Sequence, residues 1–240
     1  MSEPLLTLEG VHTHIAQYHI LQGVNLDVPK GGVTMLLGRN GAGKTTTLRT
    51  IMGLWQASQG KITFDGQDIT RLSTPDISRL GISIVPENMG IFSGLTVEEN
   101  MRLAVLSGKI ADDRLDWIFS AFPPLRTFWK YPAGNLSGGQ KQMLSVARAV
   151  AEERRLYLID EPSKGLAPAI VSSLAKAIKD LKRDGATVLL VEQNFSFAKA
   201  LGDTVSVMDD GHIVHSGSMA ELAQDQNLQT RFMGLSMETA

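Results

Sequence analysis

A continuous apolar run, Val33-Thr34-Met35-Leu36-Leu37, ends at Gly38 and leads into Arg39-Asn40-Gly41-Ala42-Gly43-Lys44-Thr45. An uninterrupted apolar run of strand length suits a strand buried on both faces, which requires a sheet covered on both sides. The eight residues from Gly38 fit G-x-x-x-x-G-K-[ST], a phosphate loop, and a helical pattern follows them. Its glycines let backbone N–H groups converge on phosphate oxygens, and the following helix adds its positive end. Lys44 suits the β- and γ-phosphates, and the Thr45 hydroxyl suits Mg²⁺. The chain is thereby constrained to an α/β fold that binds a nucleotide.

The bulk properties remove several classes. Of 240 residues, 43% are hydrophobic and 20% charged, as in ordinary globular proteins, and net charge is -2. No basic field recommends nucleic acid as a partner. The chain has no cysteine, which excludes disulfides and thiolate metal sites and fits a reducing compartment. Met1-Ser2-Glu3-Pro4 has no basic region followed by an apolar stretch, so no secretory signal is expected. Apolar runs such as Val188 to Val191 are far too short to cross a bilayer.

Along the chain, Val24 to Val28 and Lys61 to Asp65 alternate as half-buried antiparallel strands do. Leu156 to Ile159 and Thr187 to Val191 are further continuous apolar runs. Ile170, Leu174, Ile178 and Leu181 share one helical face, with Gly185 as a stop. Met143, Val146, Ala147 and Val150 mark another helix. Buried strands alternating with helices predict a mostly parallel sheet, preceded by an antiparallel β part. Val205 to Met208 and His212 to His215 flank Asp209-Asp210-Gly211 as a hairpin. Residues from about 88 to 135, interrupted by prolines, read as a mainly helical insertion. The expected organisation is one domain, 1–240, with a core lobe of 1–86 and 155–240 and a helical lobe of 87–154.

The apolar run ending at Ile159 delivers Asp160 and Glu161 where ligands collect in open α/β sheets, at the carboxyl end of a strand. Asp160 suits Mg²⁺, and Glu161 suits the general base that polarises an attacking water. Leu136-Ser137-Gly138-Gly139-Gln140 opens the Met143 helix; taken alone it reads as a helix cap with flexible glycines. His12 and His14 could share a strand face, with no third ligand evident.

With phosphate loop, Leu136 to Gln140 and Leu156 to Glu161 in this order and spacing, the chain resembles the ABC transporter ATPases over essentially its whole length. The resemblance implies a head-to-tail dimer that sandwiches two ATP molecules with Mg²⁺. Each ATP would be held by one chain's Gly38, Arg39, Asn40, Gly41, Ala42, Gly43, Lys44, Thr45 and Thr46 and by the other chain's Leu136, Ser137, Gly138, Gly139 and Gln140. Metal contacts would come from Thr45, Asp160 and Glu87, and catalysis from Glu161, Gln193 and Lys44. Val85-Pro86-Glu87, Thr96 to Asn100, Asp160 to Pro168 and Val191 to Asn194 resemble the branched-chain amino-acid uptake ATPases, the shorter of two such subunits. Urea and amide systems share much of this wording, and a nucleotide-gated binding module with little hydrolysis is the other reading, motivated by Glu87 and Gln193. Implied partners are membrane permease subunits, a similar or identical second ATPase and, indirectly, a periplasmic binding protein. The implied place is the cytoplasmic face of the inner membrane. Pro86 to Asn100 would join the lobes and offer Met89, Ile91 and Phe92 to a permease helix.

Three positions depart from that pattern. Glu87 stands where Gln is usual. A bare carboxylate ~4 Å from a phosphate charge costs roughly 4 kcal/mol at an effective dielectric near 20. Glu87 is therefore expected to face Mg²⁺, swing away, or be protonated. Gln193 replaces a usual His; it donates a hydrogen bond as neutral imidazole does and never becomes cationic. The usual adenine-stacking aromatic falls at Ile15, with Tyr18 three residues on as the candidate stacker.

Overall fold

The computed structural model describes residues 4–233, the side chains of 231–233 excepted. The ends of the expected domain, 1–3 and 234–240, and with them the Met1 to Glu3 segment, lie outside the described residues.

Two sheets organise the chain. β1 (Pro4–Ile15), β2 (Tyr18–Pro29), β4 (Ala57–Phe64) and β5 (Gln67–Asp68) form an antiparallel sheet in the order β2-β1-β4-β5. β3 (Val33–Gly38), β6 (Ile82–Val85), β7 (Leu156–Asp160), β8 (Thr187–Glu192), β9 (Thr204–Asp209) and β10 (His212–Ser218) form a six-stranded sheet in the order β10-β9-β3-β8-β7-β6. It is parallel except for β10, which returns from β9 through Asp210 and Gly211, both at positive φ. Asp-Gly is the turn chemistry that such hairpins favour.

Helices cover both faces of the six-stranded sheet, and the chain between β6 and β7 is helical. They are α1 (Lys44–Ile51), α2 (Thr74–Arg79), α3 (Val97–Arg102), α4 (Asp112–Ala121), α5 (Pro123–Thr127), α6 (Gly138–Ala149), α7 (Pro168–Arg183), α8 (Phe195–Leu201), α9 (Met219–Gln224) and α10 (Gln226–Met233). α7 starts with Pro at its first turn, buries Leu174, Ala177, Ile178 and Leu181, and is followed by Gly185 at φ +87. These are the face and the stop that its spacing predicts. α3 is fixed by a capping box between Thr96 and Glu99, which satisfies backbone N–H groups that a helix start leaves orphaned.

The continuous apolar runs are explained by burial on both faces. In β3, Val33, Met35 and Leu37 enter a core with α6, α7 and α8, while Leu36 enters a second core with β1, β2 and α1. Leu158, Leu189 and Val191 join Leu36; Tyr157, Ile159, Val188 and Leu190 join the helical side. Each such side chain contributes about 1.5–3 kcal/mol of burial. Together they make the sheet a rigid platform for what hangs off its edge.

Candidate active site

Strand register decides which loops meet. Leu37 lies opposite Glu192, Val191 opposite Asp160, and Ile159 opposite Val85. The carboxyl ends of β3, β8, β7 and β6 are thus level, and the segments that follow them, Gly38 to Lys44, Gln193, Glu161 and Glu87, form one crevice.

The phosphate loop is held by sterics. Gly38 sits at φ +151 with Met208 O only 2.1 Å from where a Cβ would be, so no larger residue fits. Gly43 at φ +108 caps α1 without a side chain, leaving the helix's first N–H groups toward the loop. Lys44 folds back over the loop and donates from Nζ to the carbonyls of Gly38 and Arg39, both at 2.9 Å. It is 4% exposed, and burial lowers its pKa, opposed by Glu161 and Asp160.

Thr45 Oγ1 donates to Asp160 Oδ1 at 3.1 Å. Asp160 is buried, and burial above all pushes its carboxyl up to about 6; the Thr45 hydrogen bond opposes this while Glu87 and Glu161 add to it. Among the described residues no cation forms an ion pair with Asp160. A buried carboxylate beside a hydroxyl is a hard oxygen donor set short of positive charge, which fits Mg²⁺.

Glu161 adopts φ +46, a left-handed conformation that is uncommon for a residue with a side chain. The turn aims its carboxylate across the crevice. Oε1 accepts from Gln193 Nε2 and lies 3.7 Å from Lys44 Nζ; Oε2 lies 3.3 Å from Lys164 Nζ. Gln193 Nε2 also donates to Asn40 Oδ1 at 2.7 Å. Catalytic and phosphate-binding candidates named from the sequence are therefore joined in one network.

Glu87 is compensated by a cation of its own chain. Its Oε1 accepts from Lys164 Nζ at 2.7 Å, an ion pair within the chain. No local sequence pattern points to a role for Lys164, and only a charge closing an apolar strand marks Glu192. The Glu192 side chain is buried and accepts from three backbone N–H groups, Ser163 at 3.0 Å, Gln193 at 3.0 Å and Asn194 at 3.1 Å. It fixes the turn after Glu161 and the turn carrying Gln193 together.

Leu136 to Gln140 stand apart from this network. Ser137 Oγ accepts from Gln140 N at 3.3 Å and Gln140 Oε1 accepts from Ser137 N at 2.9 Å, a capping box at the start of α6. Ser137 and Gly138 are exposed, while Gly139 backs onto Ile170. Among the described residues no hydrogen bond or ion pair joins this segment to the phosphate loop of the same chain. Tyr18 opens β2, pairs with Ile15 and is 63% exposed. It shares a strand face with Ile20, whose carbonyl lies 3.5 Å from the Cβ position of Gly43. His19 joins His12 and His14: His12 Nδ1 and His19 Nε2 are 2.9 Å apart, and the His14 and His19 rings stack at 4.2 Å. That third imidazole comes from β2 and was invisible in the spacing of the first two.

A phosphate loop after β3, a carboxylate pair at the end of β7 one strand further along the sheet and a detached, helix-capping Ser-Gly-Gly segment define a P-loop ATPase with a helical insertion between β6 and β7. The ABC transporter family matches residues 21–164, and the chain belongs to that family as an ATPase subunit coupled to transport. Its relatives include the high-affinity branched-chain amino acid transport ATP-binding protein BraG of Pseudomonas aeruginosa, 37% identical over 96% of this chain and all of the relative. The probable branched-chain amino acid transport ATP-binding protein LivF of Archaeoglobus fulgidus is 35% identical over 91% of this chain and 94% of its own length. The methionine import ATP-binding protein MetN of Mannheimia succiniciproducens is 34% identical over 84% of this chain but 60% of its own length. Among solved structures, an ATP-binding subunit of an ABC transporter superposes with a TM-score of 0.82 at 26% identity, over 96% of each chain. No described helix is long and apolar enough to cross a membrane.

Proposed function

We propose that this chain is the ATP-hydrolysing subunit of an importer for branched-chain amino acids, working at the cytoplasmic face of the membrane. The observation that carries the cargo is the alignment with branched-chain transport ATPases across nearly the full length of both partners. The methionine-import relative, by contrast, extends well beyond the matched region.

In this reading Lys44 leaves the carbonyls of Gly38 and Arg39 for the β- and γ-phosphates, and the loop N–H groups with Thr46 take the remaining oxygens. Thr45 and Asp160, with Glu87 close by, would hold Mg²⁺, which when bound supplies Lewis-acid neutralisation of phosphate charge. Glu161 takes the proton of the attacking water as it adds to the γ-phosphorus, and ADP leaves with the bridging oxygen. Gln193 keeps that carboxylate in place and donates toward the phosphate side through Asn40. Ser137 and Gly138, exposed at the start of α6, close on the nucleotide of a second subunit, identical or similar. There the helix N-terminus faces the phosphates.

The core lobe, 1–86 and 155–240, carries the nucleotide, and the helical lobe, 87–154, presents the signature. Between them a cleft of about 410 Å³, lined by Met52, Pro86, Met89, Ala104 and Ala149, takes a cytoplasmic helix of the permease. Ile91 packs partly buried against the helical-side core, and Phe92 is half-exposed with the cleft's Arg148 over its ring. A secreted binding protein delivers cargo on the far side.

The test is uptake by the assembled complex in vesicles with its binding protein. ATP-dependent accumulation of leucine, isoleucine or valine that is lost in Glu161→Gln supports the reading. Accumulation of methionine alone, or efflux, contradicts it.

A further inference from the structure

Three carboxylates, Asp160, Glu161 and Glu87, crowd the hydrolytic end of the sheet, and two ammonium groups are set against them. Lys44 belongs to the phosphate loop. Lys164 does not: its Nζ lies 2.7 Å from Glu87 Oε1 and 3.3 Å from Glu161 Oε2. Glu87, 77 residues earlier, follows β6 at the entrance to the helical lobe. One side chain therefore ties that entrance to the carboxylate after β7.

The backbone places Lys164 for this task. Its N–H donates to Glu161 O at 3.3 Å, and Leu166 N donates to Ser163 O at 3.3 Å, closing the turn. Ser163 N is in turn fastened to the buried Glu192 at 3.0 Å. Among the described residues Glu87 has no other side-chain hydrogen bond or ion pair. Without Lys164 its charge would face the crevice uncompensated.

We propose that Lys164 is a positioning residue of the nucleotide site, neutralising Glu87 so that a carboxylate stands beside the bound triphosphate without repelling it. This rests on the ATPase reading above. The pair is part-exposed, 58% and 42%, so solvent screens it and the effect is moderate.

The test is binding of a non-hydrolysable Mg-ATP analogue to the full chain, by calorimetry at low salt, across a double-mutant cycle. Lys164→Gln is expected to weaken affinity about five- to tenfold, Lys164→Arg to keep it, and 0.5 M salt to shrink the loss. In the Glu87→Gln background, Lys164→Gln is expected to cause no further loss. Affinity within twofold of wild type in Lys164→Gln, or an equal loss in both backgrounds, overturns the proposal. A wild-type chain that binds no analogue overturns the ATPase reading itself, and the proposal with it.

Discussion

The side-chain nitrogen of Gln193 donates to Glu161 Oε1, so the residue after β8 holds the carboxylate after β7. The same nitrogen reaches Asn40 in the phosphate loop, making Gln193 the junction of the network. Gln193→Ala is expected to lower ATP turnover ~100-fold, the lower end of the range for losing one well-placed donor. Because an amide does not titrate, turnover in the wild type should show no step centred near pH 6.5 that depends on this residue. Gln193→His should recover activity and introduce such a step. A wild-type step near that pH that vanishes in Gln193→Ala contradicts the assignment.

Asp160 lets function and stability be separated by pH. Its carboxyl is raised to about 6 in the folded chain, against about 3.9 when unfolded. A raised acid favours folding only while protonated. Its destabilising effect is therefore absent below about pH 4, grows as pH rises and is complete above about pH 7. Without nucleotide and with a chelator, Asp160→Asn should be more stable than wild type by about 3 kcal/mol at pH 7.5 and about half that at pH 5. Urea midpoints at the two values check this, and a pH-independent difference refutes it.

Glu192 makes the opposite case, a buried charge that serves structure. Three backbone N–H groups end on it, and removing it leaves them unsatisfied. Glu192→Ala should cost about 2–4 kcal/mol and slow turnover through displacement of both turns. Unchanged urea midpoint and rate would show that the turns hold themselves.

The parts of this fold that were legible in the sequence are those with one dominant local cause. β3, β7 and β8 announce themselves as unbroken apolar runs because both their faces are covered, and α7 by a single clean stripe. β1 was not legible as a whole: bulges after Leu8 and around His12 break its alternation. The phosphate loop and Asp160-Glu161 could be read because their chemistry is contiguous. The Lys164–Glu87 pair could not, since it depends on β6 and β7 being neighbours, which no local pattern encodes. His19 escaped for the same reason, its partners lying across a strand pairing.

The exposed Ser137 bears on whether nucleotide is gripped by two subunits at once. Removing its hydroxyl would also remove the α6 cap, worth about 1 kcal/mol. Ser137→Asp keeps a capping oxygen and places a negative charge where the partner's γ-phosphate would sit, so it separates the two roles. The most direct measurement is ATP turnover per chain as a function of chain concentration, for wild type and Ser137→Asp. Wild-type turnover per chain is expected to fall steeply on dilution, and Ser137→Asp to be inactive at every concentration. Turnover per chain that stays constant on dilution, with Ser137→Asp as active as wild type, would contradict it.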